Sequence, residues 1–252
     1  MQFTVHPYFN GKYHDLKSVV MDFENQGTVL SEGKRNLIKV VEWRGFKYNI
    51  KSFKKPHFFN ALIYKFFRKS KARRSFEYAR KLMSRGIGTP APIAYGEEFS
   101  FWGLRESYYM SEHLAYDFTI REVMNDENFP NADKIIKQFT EFTFKLHEAG
   151  VEFLDHSPGN TLIVKNDEED YEFYLVDLNR MRFKKLSFKN RMKNFARLTK
   201  DRNRVQQMSV HYAALANVSE EKVFRLMWKY TETFQAKFQR KKRLKKRFKI
   251  SK

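Results

Sequence analysis

The sequence contains no cysteine among its 252 residues. Disulfide bonds, thiolate metal sites and cysteine nucleophiles are therefore excluded. For the same reason, cysteine usage does not indicate whether the protein works in a reducing or an oxidising compartment.

Long apolar runs are also missing. The N-terminal segment MQFTVHPYFNGKYHDLK lacks the continuous apolar core of a secretion signal, and no stretch of about eighteen apolar residues occurs anywhere. No internal repeat and no Ser/Gly-rich linker is found. The sequence therefore predicts a soluble, unsecreted, cytoplasmic protein.

Acidic residues are scarce relative to basic ones. The chain has 29 Asp and Glu against 49 Lys and Arg, which gives a net charge of +20. Such a field attracts polyanions, including nucleic acid, anionic lipid surfaces and phosphorylated glycolipids. The charge by itself predicts an anionic partner without choosing among these classes.

Apolar and aromatic residues, by contrast, are abundant. Hydrophobic residues make up 42% of the chain, with 26 Phe and 13 Tyr, which is far more than disordered chains carry. A folded protein of this length can form one large domain or two small lobes.

Residues 1–110 are predicted to form a strand-rich lobe with one helix. The runs LIKVVEW and FKYNIKSF flank Arg44-Gly45 and predict a β-hairpin. FWGLRESYYMSEHL predicts another aromatic-rich hairpin or strand. In KARRSFEYARKLMSRGIGTPAP, apolar residues recur at helical spacing, and Gly86 followed by prolines ends the helix. The predicted stripe consists of Ala72, Phe76, Ala79 and Met83.

Residues 111–239 are predicted to form a mainly helical lobe with a small hairpin. After a polar connection near 111–117, NADKIIKQFTEFTFKLHEAG predicts a buried helix that Gly150 ends. NTLIVKNDEEDYEFYLVDLNR predicts strands at 162–164 and 173–176, joined by an acidic turn. The predicted helix stripe consists of Ile135, Phe139, Phe142 and Leu146. Further helical sequence runs from 184 to 239, with Phe224, Met227, Trp228 and Phe234 as core candidates.

The tail 240–252, RKKRLKKRFKISK, permits three interpretations: a solvated, disordered terminus, a membrane-surface anchor or a nucleic-acid arm. Leu244 and Phe248 lie four residues apart and give it a small apolar stripe. Polybasic segments gain about 1 kcal/mol per Lys or Arg near an anionic leaflet. A second basic cluster at 65–74 could face the same surface or the phosphates of a substrate.

Phosphoryl transfer from a nucleotide needs few side chains. It needs a lysine for the phosphates, a glutamate that positions this lysine, an aspartate that orients the acceptor hydroxyl, and Asn and Asp ligands for magnesium. All occur here in the required order. The candidates are Lys51, Glu77, Asp155, Asn160 and Asp177.

Asp155 and Asn160 are separated by a Pro-Gly turn, so both can point into one cleft, and the next strand pair delivers Asp177 beside Asn160. Two oxygen ligands from adjacent strands suit Mg²⁺. In isolation the same residues are equally typical of turns and caps. Lys51 alone could be a solvated lysine, and Glu77 alone could pair with Arg73 or Lys81 on its helix.

Taken together, these segments resemble the protein-kinase-like superfamily. LHEAGVEFLDHSPGNTLIV is similar to the catalytic-loop region of protein kinases, which carries the motif HRDxxxxN. More narrowly, YNIKSFK, RSFEYARKL, GIGTPAPIAY and LVDLNR resemble the bacterial lipopolysaccharide core kinases, which phosphorylate Kdo or heptose sugars on lipid A precursors. The resemblance implies an α+β, two-lobed protein-kinase-like fold.

The resemblance also implies a role for each candidate. Lys51 contacts the α- and β-phosphates of ATP, and Glu77 pairs with Lys51. Asp155 is the catalytic base. Asn160 and Asp177 are the magnesium ligands.

Further nucleotide contacts follow from the same resemblance. Gly33, in SEGKRN, belongs to the hairpin that covers the phosphates. Backbone groups of residues 110–114, among them Glu112 and Leu114, hold the adenine.

Three positions depart from the protein-kinase pattern. Phe153 stands at the HRD histidine, Leu178 stands at the DFG phenylalanine, and Gly33 is the single glycine of its loop. No A-P-E sequence follows Asp177. Because protein kinases dock a peptide between these markers, its absence favours a small-molecule or sugar hydroxyl as acceptor.

The resulting hypothesis is an ATP- and Mg²⁺-dependent kinase that phosphorylates a sugar hydroxyl of an anionic, lipopolysaccharide-type glycolipid, on the cytoplasmic face of the inner membrane and with peripheral contact to it. The glycolipid is favoured over nucleic acid as partner, and the oligomeric state stays open. One alternative is a kinase for a protein or a small molecule such as an aminoglycoside, although aminoglycosides are cations and match a +20 protein poorly. Another is an inactive nucleotide-binding scaffold that holds RNA or membrane. His156 is interpreted as either a phosphate contact or a surface imidazole, and His147 as structural.

Overall fold

The computed structural model describes residues 1–33, 36–166 and 170–250, the last four by backbone alone. Lys34 and Arg35 of the predicted phosphate-covering hairpin lie outside the described residues. So do most of the predicted acidic turn and the side chain of Phe248 in the tail.

The described chain forms two compact units. The N-terminal unit comprises Met1–Ala115 and Asp177–Asn179, and the C-terminal unit comprises Tyr116–Val176 and Arg180–Lys252. The sequence placed the boundary after residue 110. Asp177 is thus assigned to the same unit as Lys51.

The N-terminal unit contains a six-stranded antiparallel sheet with the strand order β1-β5-β6-β4-β3-β2. The strands are β1 (Gln2–Val5), β2 (Thr28–Glu32), β3 (Asn36–Trp43), β4 (Phe46–Phe53), β5 (Pro92–Ser100) and β6 (Gly103–Glu112). The helices of this unit are α1 (Tyr13–Met21), α2 (Phe58–Phe66) and α3 (Lys71–Met83).

The predicted β3–β4 hairpin is confirmed. Arg44 and Gly45 have φ angles of 52° and 78°, which is the left-handed pair that a tight two-residue hairpin turn requires. The β5–β6 hairpin is also present. Strand β1 and helices α1 and α2 were not predicted, so the expectation of a single helix in this lobe was wrong. Leu16 and Val20 of α1 join the core that β4 and β6 build with Ile50 and Met110.

The helix predicted after the second basic cluster is α3. The Ser70 hydroxyl accepts the Arg73 N–H at 3.0 Å as N-cap, and Gly86 follows the helix with a φ of 66°. Met83, predicted in the buried stripe, is 48% exposed, whereas Leu82 is fully buried. The last turn of α3 therefore presents Leu82 to the core instead of Met83.

The C-terminal unit contains a three-stranded sheet with the order β10-β9-β7 and a separate pair of β8 with β11. The strands are β7 (Phe118–Thr119), β8 (Val151–Phe153), β9 (Thr161–Lys165), β10 (Tyr171–Leu175) and β11 (Met181–Phe183). The helices are α4 (Ile120–Asn125), α5 (Ala132–Glu148), α6 (Phe188–Asn194), α7 (Arg202–Ala216) and α8 (Glu220–Ile250).

Helix α5 is the buried helix that the sequence predicted. Ile135, Phe139 and Leu146 are fully buried in or beside the core, and Phe142 packs against it. In α8, Met227 is buried, while Phe224 and Trp228 are partly buried against the same core. The strands β9 and β10 confirm the predicted second hairpin.

Helix α8 continues through residue 240 as far as Ile250, so the predicted tail is helical over this length and is not irregular. Its side chains from 240 to 246 are exposed. Among the helices of the described chain, none combines the length and the apolar character that crossing a membrane requires.

Candidate active site

Lys51 lies on β4, opposite Ile38 of β3 and Tyr109 of β6. Its Nζ donates a hydrogen bond to Asp177 Oδ1 at 2.7 Å. The side chain of Lys51 is only 13% exposed, so this ion pair is largely shielded from water. The structure thus brings together two predicted site residues that are 126 positions apart in the chain.

The backbone of Asp177 is unusual. Its φ angle is 57°, in the left-handed region that non-glycine residues rarely adopt. Such strain is common at functional sites, where the surrounding structure enforces it. Asn179 Nδ2 also donates to Oδ1, at 2.7 Å. Within the described residues, Asp177 Oδ2 has no hydrogen-bond donor, which leaves one carboxylate oxygen available for a cation.

Glu77 on α3 does not pair with Lys51. Its carboxylate accepts hydrogen bonds from Lys69 Nζ at 2.7 and 2.8 Å and from Arg73 Nε at 3.0 Å. Arg73 lies one helical turn before Glu77, and Lys69 precedes the helix, so both cations reach Glu77 locally. Burial raises the pKa of Glu77, but the hydrogen bonds from Lys69 and Arg73 outweigh it and hold the pKa below its usual value. The predicted Lys51–Glu77 pair is therefore replaced in this structure by the pairing with Arg73 that the sequence allowed.

The remaining predicted nucleotide contacts lie at strand ends. Gly33 follows β2, and its N–H donates to Asn36 O at 2.9 Å. At the end of β6, the Glu112 N–H donates to Ala91 O at 2.9 Å. The Leu114 N–H has no backbone acceptor in the described part of the chain, so it is free to bind a ligand acceptor.

Asp155 and Asn160 lie together in the C-terminal unit, in the loop between β8 and β9. Asn160 Nδ2 donates to the backbone oxygen of Asp155 at 2.8 Å, and within the described residues no donor contacts Asn160 Oδ1. The Val176 N–H donates to Asn160 O at 3.0 Å and ties the loop to the end of β10. At Gly159, a Cβ would lie 2.2 Å from the Arg121 guanidinium, so a larger residue would displace Arg121.

Asp155 is held by two arginines that the sequence analysis did not assign. Arg197 Nη1 pairs with Asp155 Oδ1, and Arg180 Nη1 lies 3.5 Å from Oδ2. Arg197 Nη1 also donates to Leu154 O at 3.2 Å. The arginines therefore fix the orientation of the Asp155 side chain, which is only 20% exposed. Their sole sequence signal was a basic segment after Asp177, which does not identify individual partners.

The loop is also supported from behind, at the position where protein kinases have a histidine. Phe153 is fully buried, and its carbonyl accepts a hydrogen bond from Asn194 Nδ2 at 2.7 Å. Because Nδ2 is the donor there, Asn194 Oδ1 accepts from His147 Nε2 at 3.1 Å, and His147 Nδ1 accepts from Tyr212 OH at 2.9 Å. This chain of contacts anchors the strand that leads to Asp155 without the missing histidine. The structural interpretation of His147 is confirmed.

His156 is not a surface imidazole. It is 1% exposed and stacks on Phe153, with ring centroids 5.7 Å apart, and it also contacts Phe139. Burial lowers its pKa to about 3, and burial likewise lowers the pKa of His147 to about 4. Both rings are neutral at physiological pH, so His156 is excluded as a cationic phosphate contact.

The oxygen donors suit a magnesium ion. In the described chain, no cluster of three or more His, Cys, Asp or Glu residues forms a metal site by itself. Magnesium at a nucleotide, however, needs only one or two protein oxygens, because phosphates and water supply the others. Asp177 Oδ2 in the N-terminal unit is an oxygen of this type, and so, taken by itself, is Asn160 Oδ1 in the C-terminal unit.

Comparison with solved structures supports this fold. The chain is similar to WaaP in its complex with acyl carrier protein, with a TM-score of 0.63 and 20% identity over 92% of this chain and 99% of that chain. A Rio2 kinase-ADP/Mg²⁺-phosphoaspartate complex from Chaetomium thermophilum gives a TM-score of 0.48 and 15% identity over 86% of this chain and 66% of that chain. A search among curated proteins returns no significant match. The first similarity confirms the predicted α+β kinase-like fold class.

The sequence profile described as the lipopolysaccharide kinase (Kdo/WaaP) family matches residues 14–230. This span is most of the chain and contains every predicted site residue. None of these comparisons supports the alternatives of a protein kinase, an aminoglycoside kinase or an inactive scaffold. The chain belongs to the lipopolysaccharide kinase (Kdo/WaaP) family, and it is a kinase that acts on lipopolysaccharide.

Proposed function

We propose that this kinase uses ATP and Mg²⁺ to phosphorylate a sugar hydroxyl of a lipopolysaccharide-type glycolipid. The observation that carries the proposal is the shielded pair of Lys51 with Asp177, at 2.7 Å, in which one Asp177 oxygen stays open. A lysine and a metal-binding aspartate in contact are the two groups that neutralise nucleotide phosphates in kinases.

Each nucleotide contact has a defined candidate. Lys51 moves its ammonium from Asp177 to the α- and β-phosphates, and the Leu114 N–H binds the adenine edge together with backbone groups of Glu112. Gly33 permits the backbone to approach the phosphates closely. Asp177 and Asn160 would hold magnesium, which when bound would neutralise charge on the phosphate oxygens.

Asp155 acts on the acceptor. It accepts a hydrogen bond from the sugar hydroxyl and takes its proton while the hydroxyl oxygen bonds to the γ-phosphorus and the bond to the ADP oxygen breaks. Arg197 and Arg180 hold the Asp155 carboxylate in position for this step. Positioning of this kind contributes a large part of the rate enhancement in phosphoryl transfer.

The charge of the protein favours an anionic acceptor. A net charge of +20 attracts a phosphorylated glycolipid and the anionic leaflet in which it resides. Peripheral contact with the cytoplasmic face of the membrane is therefore part of the proposal. Acyl carrier protein, with which WaaP forms a complex, is a partner to be tested for this chain as well.

The test is incubation of the full chain with γ-labelled ATP, Mg²⁺ and lipid extracts of the source cell, followed by mass spectrometry of the labelled product. We expect label in a phosphorylated glycolipid and its loss in Asp155→Ala. The matched control is Asp170→Ala, an exposed carboxylate of the same unit that contacts Lys134 and Gln138. Far-ultraviolet circular dichroism checks that both variants fold. Undiminished labelling by Asp155→Ala would remove its assignment as base.

A further inference from the structure

Helix α2 and the β5–β6 turn expose an unusual number of large apolar side chains. Each of these side chains is at least 43% exposed, and Phe67 reaches 86%. They comprise Phe58, Phe59, Ile63, Phe66, Phe67, Phe101 and Trp102, and we call them the aromatic surface. All belong to the N-terminal unit.

The aromatic surface is continuous because α2 is seated directly on the β5–β6 turn. Gly103 has a φ of 121°, and a Cβ there would lie 2.5 Å from the Ala61 backbone, so only glycine permits this approach. The rings of Phe58 and Trp102 lie 5.9 Å apart. Lys65 Nζ donates to Phe101 O at 3.0 Å. Helix and turn therefore present one face.

The surroundings of this face are strongly basic. Residues 54–74 contain eight Lys and Arg and no Asp or Glu. Lys54, Lys55 and Arg68 are exposed. Two clefts adjoin α2: one of about 700 Å³, whose lining includes Lys55, Trp102 and Arg105, and one of about 510 Å³, whose lining includes Phe67 and Arg68. Each cleft combines apolar walls with cationic side chains, and the second also contains Glu97.

This combination fits a lipid surface better than a protein interface. Protein interfaces are enriched in aromatic residues but depleted of lysine at their centres. Aromatic side chains interleaved with Lys and Arg are instead typical of helices that lie in the membrane interface, where rings enter the acyl boundary and cationic groups reach phosphates. Lysine stems can cover apolar surface while the ammonium stays at headgroup level.

We propose that the aromatic surface docks the kinase onto an anionic bilayer. Phe59, Phe67 and Trp102 enter the interface, while Lys54, Lys55 and Arg68 bind lipid phosphates. The proposal deepens the proposed function, on which it rests for its biological purpose, since a glycolipid acceptor lies in such a bilayer. It assigns the membrane contact to α2 and the β5–β6 turn, in place of the basic tail.

The first test is sedimentation of the full chain with vesicles of phosphatidylglycerol and phosphatidylcholine, against vesicles of phosphatidylcholine alone. Native protein should bind the anionic vesicles. The double variant Phe59→Ser/Phe67→Ser should bind them about a hundredfold more weakly, since each buried ring contributes about tenfold. Removing a cation by Lys55→Gln should weaken binding to the anionic vesicles about fivefold. Both substituted rings are at least 78% exposed, so the fold should survive.

The matched control is Phe46→Ser. Phe46 lies beside the β3–β4 turn of the same unit and is 64% exposed, the same value as Phe66. Vesicle binding by this variant should be native. Equal weakening by Phe46→Ser would show a general effect of exposed rings and would overturn the proposal. Native binding by Phe59→Ser/Phe67→Ser would do the same.

The fluorescence of Trp102 reports whether the aromatic surface inserts into the bilayer. Brominated lipids should quench native fluorescence, and Trp102→Phe should remove most of this quenching. If instead Lys241→Gln/Lys242→Gln in α8 abolishes binding while the α2 variants bind normally, the tail is the anchor and the proposal falls. It also falls if the α2 variants retain vesicle binding but lose binding of a protein partner such as acyl carrier protein.

Kinase activity separates this proposal from the proposed function. On a delipidated saccharide acceptor, Phe59→Ser/Phe67→Ser should keep the native kcat/KM, and on vesicle-embedded glycolipid its kcat/KM should fall. If native protein binds vesicles through α2 but phosphorylates no glycolipid, the docking proposal stands and the proposed function fails. If the variant matches native turnover on vesicles, the docking proposal fails and the kinase function stands.

Discussion

Asp177 and Asp155 are both paired with cations, but the cations differ in kind. Asp177, in the N-terminal unit, contacts Lys51, whereas Asp155, in the C-terminal unit, contacts Arg180 and Arg197. A lysine is a compact point charge on a flexible stem, and an arginine is a planar fork that holds a carboxylate in a fixed orientation. The difference suggests two purposes. Lys51 can exchange its carboxylate for nucleotide phosphates, while the arginines keep Asp155 where it is.

The largest expected effect concerns Asp177. Asp177→Asn removes the charge that balances Lys51 and that, in the proposed function, would bind magnesium, so kcat should fall by about a thousandfold or more. Steady-state turnover with saturating acceptor measures this. The control Asn179→Ala removes only the hydrogen bond to Oδ1 and should cost far less. A decrease below tenfold in Asp177→Asn would show that Asp177 is not a metal ligand.

The second effect is on stability and belongs to the Asp155 side of the comparison. Burial lowers the pKa of His156 to about 3 and that of His147 to about 4. Well above pH 6.5 both rings are neutral in the folded and in the unfolded state, and their contribution to stability is fully present. As the pH falls through 6.5, the rings of the unfolded chain bind protons while those of the folded chain stay neutral. The free energy of unfolding should therefore drop between pH 6.5 and 4, on the order of 3 kcal/mol for each ring.

The variant His156→Phe isolates this contribution. Phenylalanine keeps an aromatic ring between Phe139 and Phe153 but cannot bind a proton. Urea denaturation at pH 7 and pH 4.5 should show a smaller loss of stability for this variant than for native protein. An unchanged pH dependence would mean that His156 titrates normally and is not buried.

Much of this arrangement was predictable, for physical reasons that are local. The turn at Arg44-Gly45 and the apolar spacing of α5 depend on neighbouring residues, and both predictions are confirmed. The strand that follows the Asp155–Asn160 loop was also predicted and is present as β9, whereas the short strand β8 before the loop was not predicted. The catalytic interpretation of this loop depends on the order of the candidate residues Lys51, Glu77 and Asp177 around it, and not on the loop sequence alone.

What could not be predicted depends on distant partners. The short strand β1 forms by pairing with β5, where Gln2 lies opposite Glu97. No local sequence pattern predicts this pairing. Glu77 pairs with Lys69 and Arg73, which are near it along the chain, and its sequence pattern does not distinguish this pairing from one with the more distant Lys51. His156 was interpreted as a phosphate contact or a surface imidazole, but it is buried between Phe139, which is distant in the sequence, and Phe153.

The third expected effect tests whether the arginines position Asp155. Arg197→Lys keeps the charge but removes the fork, so kcat should fall about tenfold, and Arg197→Ala should lower it about a hundredfold, because small misplacements of a catalytic group are costly. The KM for ATP should remain near native in both. A rise in this KM with unchanged kcat would place Arg197 at the nucleotide and break the contrast with Lys51.

The smallest effect concerns Lys51 and Glu77, which are not paired in this structure. In the free protein, Lys51→Met and Glu77→Gln should change the free energy of unfolding additively, within about 0.5 kcal/mol, because they share no contact. If Lys51 leaves Asp177 for the phosphates, Glu77 can leave Lys69 and Arg73 and pair with Lys51. The cost should be small, because Lys69 and Arg73 are exposed and surface ion pairs contribute only about 0 to 1 kcal/mol. The same two variants should then be non-additive in kcat/KM for ATP, by about 1 kcal/mol or more.

The double variant Lys69→Gln/Glu77→Gln serves as control, because Lys69 has no proposed contact with nucleotide. Additivity of Lys51 and Glu77 under both conditions would mean that Glu77 stays with its local cations and that Lys51 binds phosphate alone.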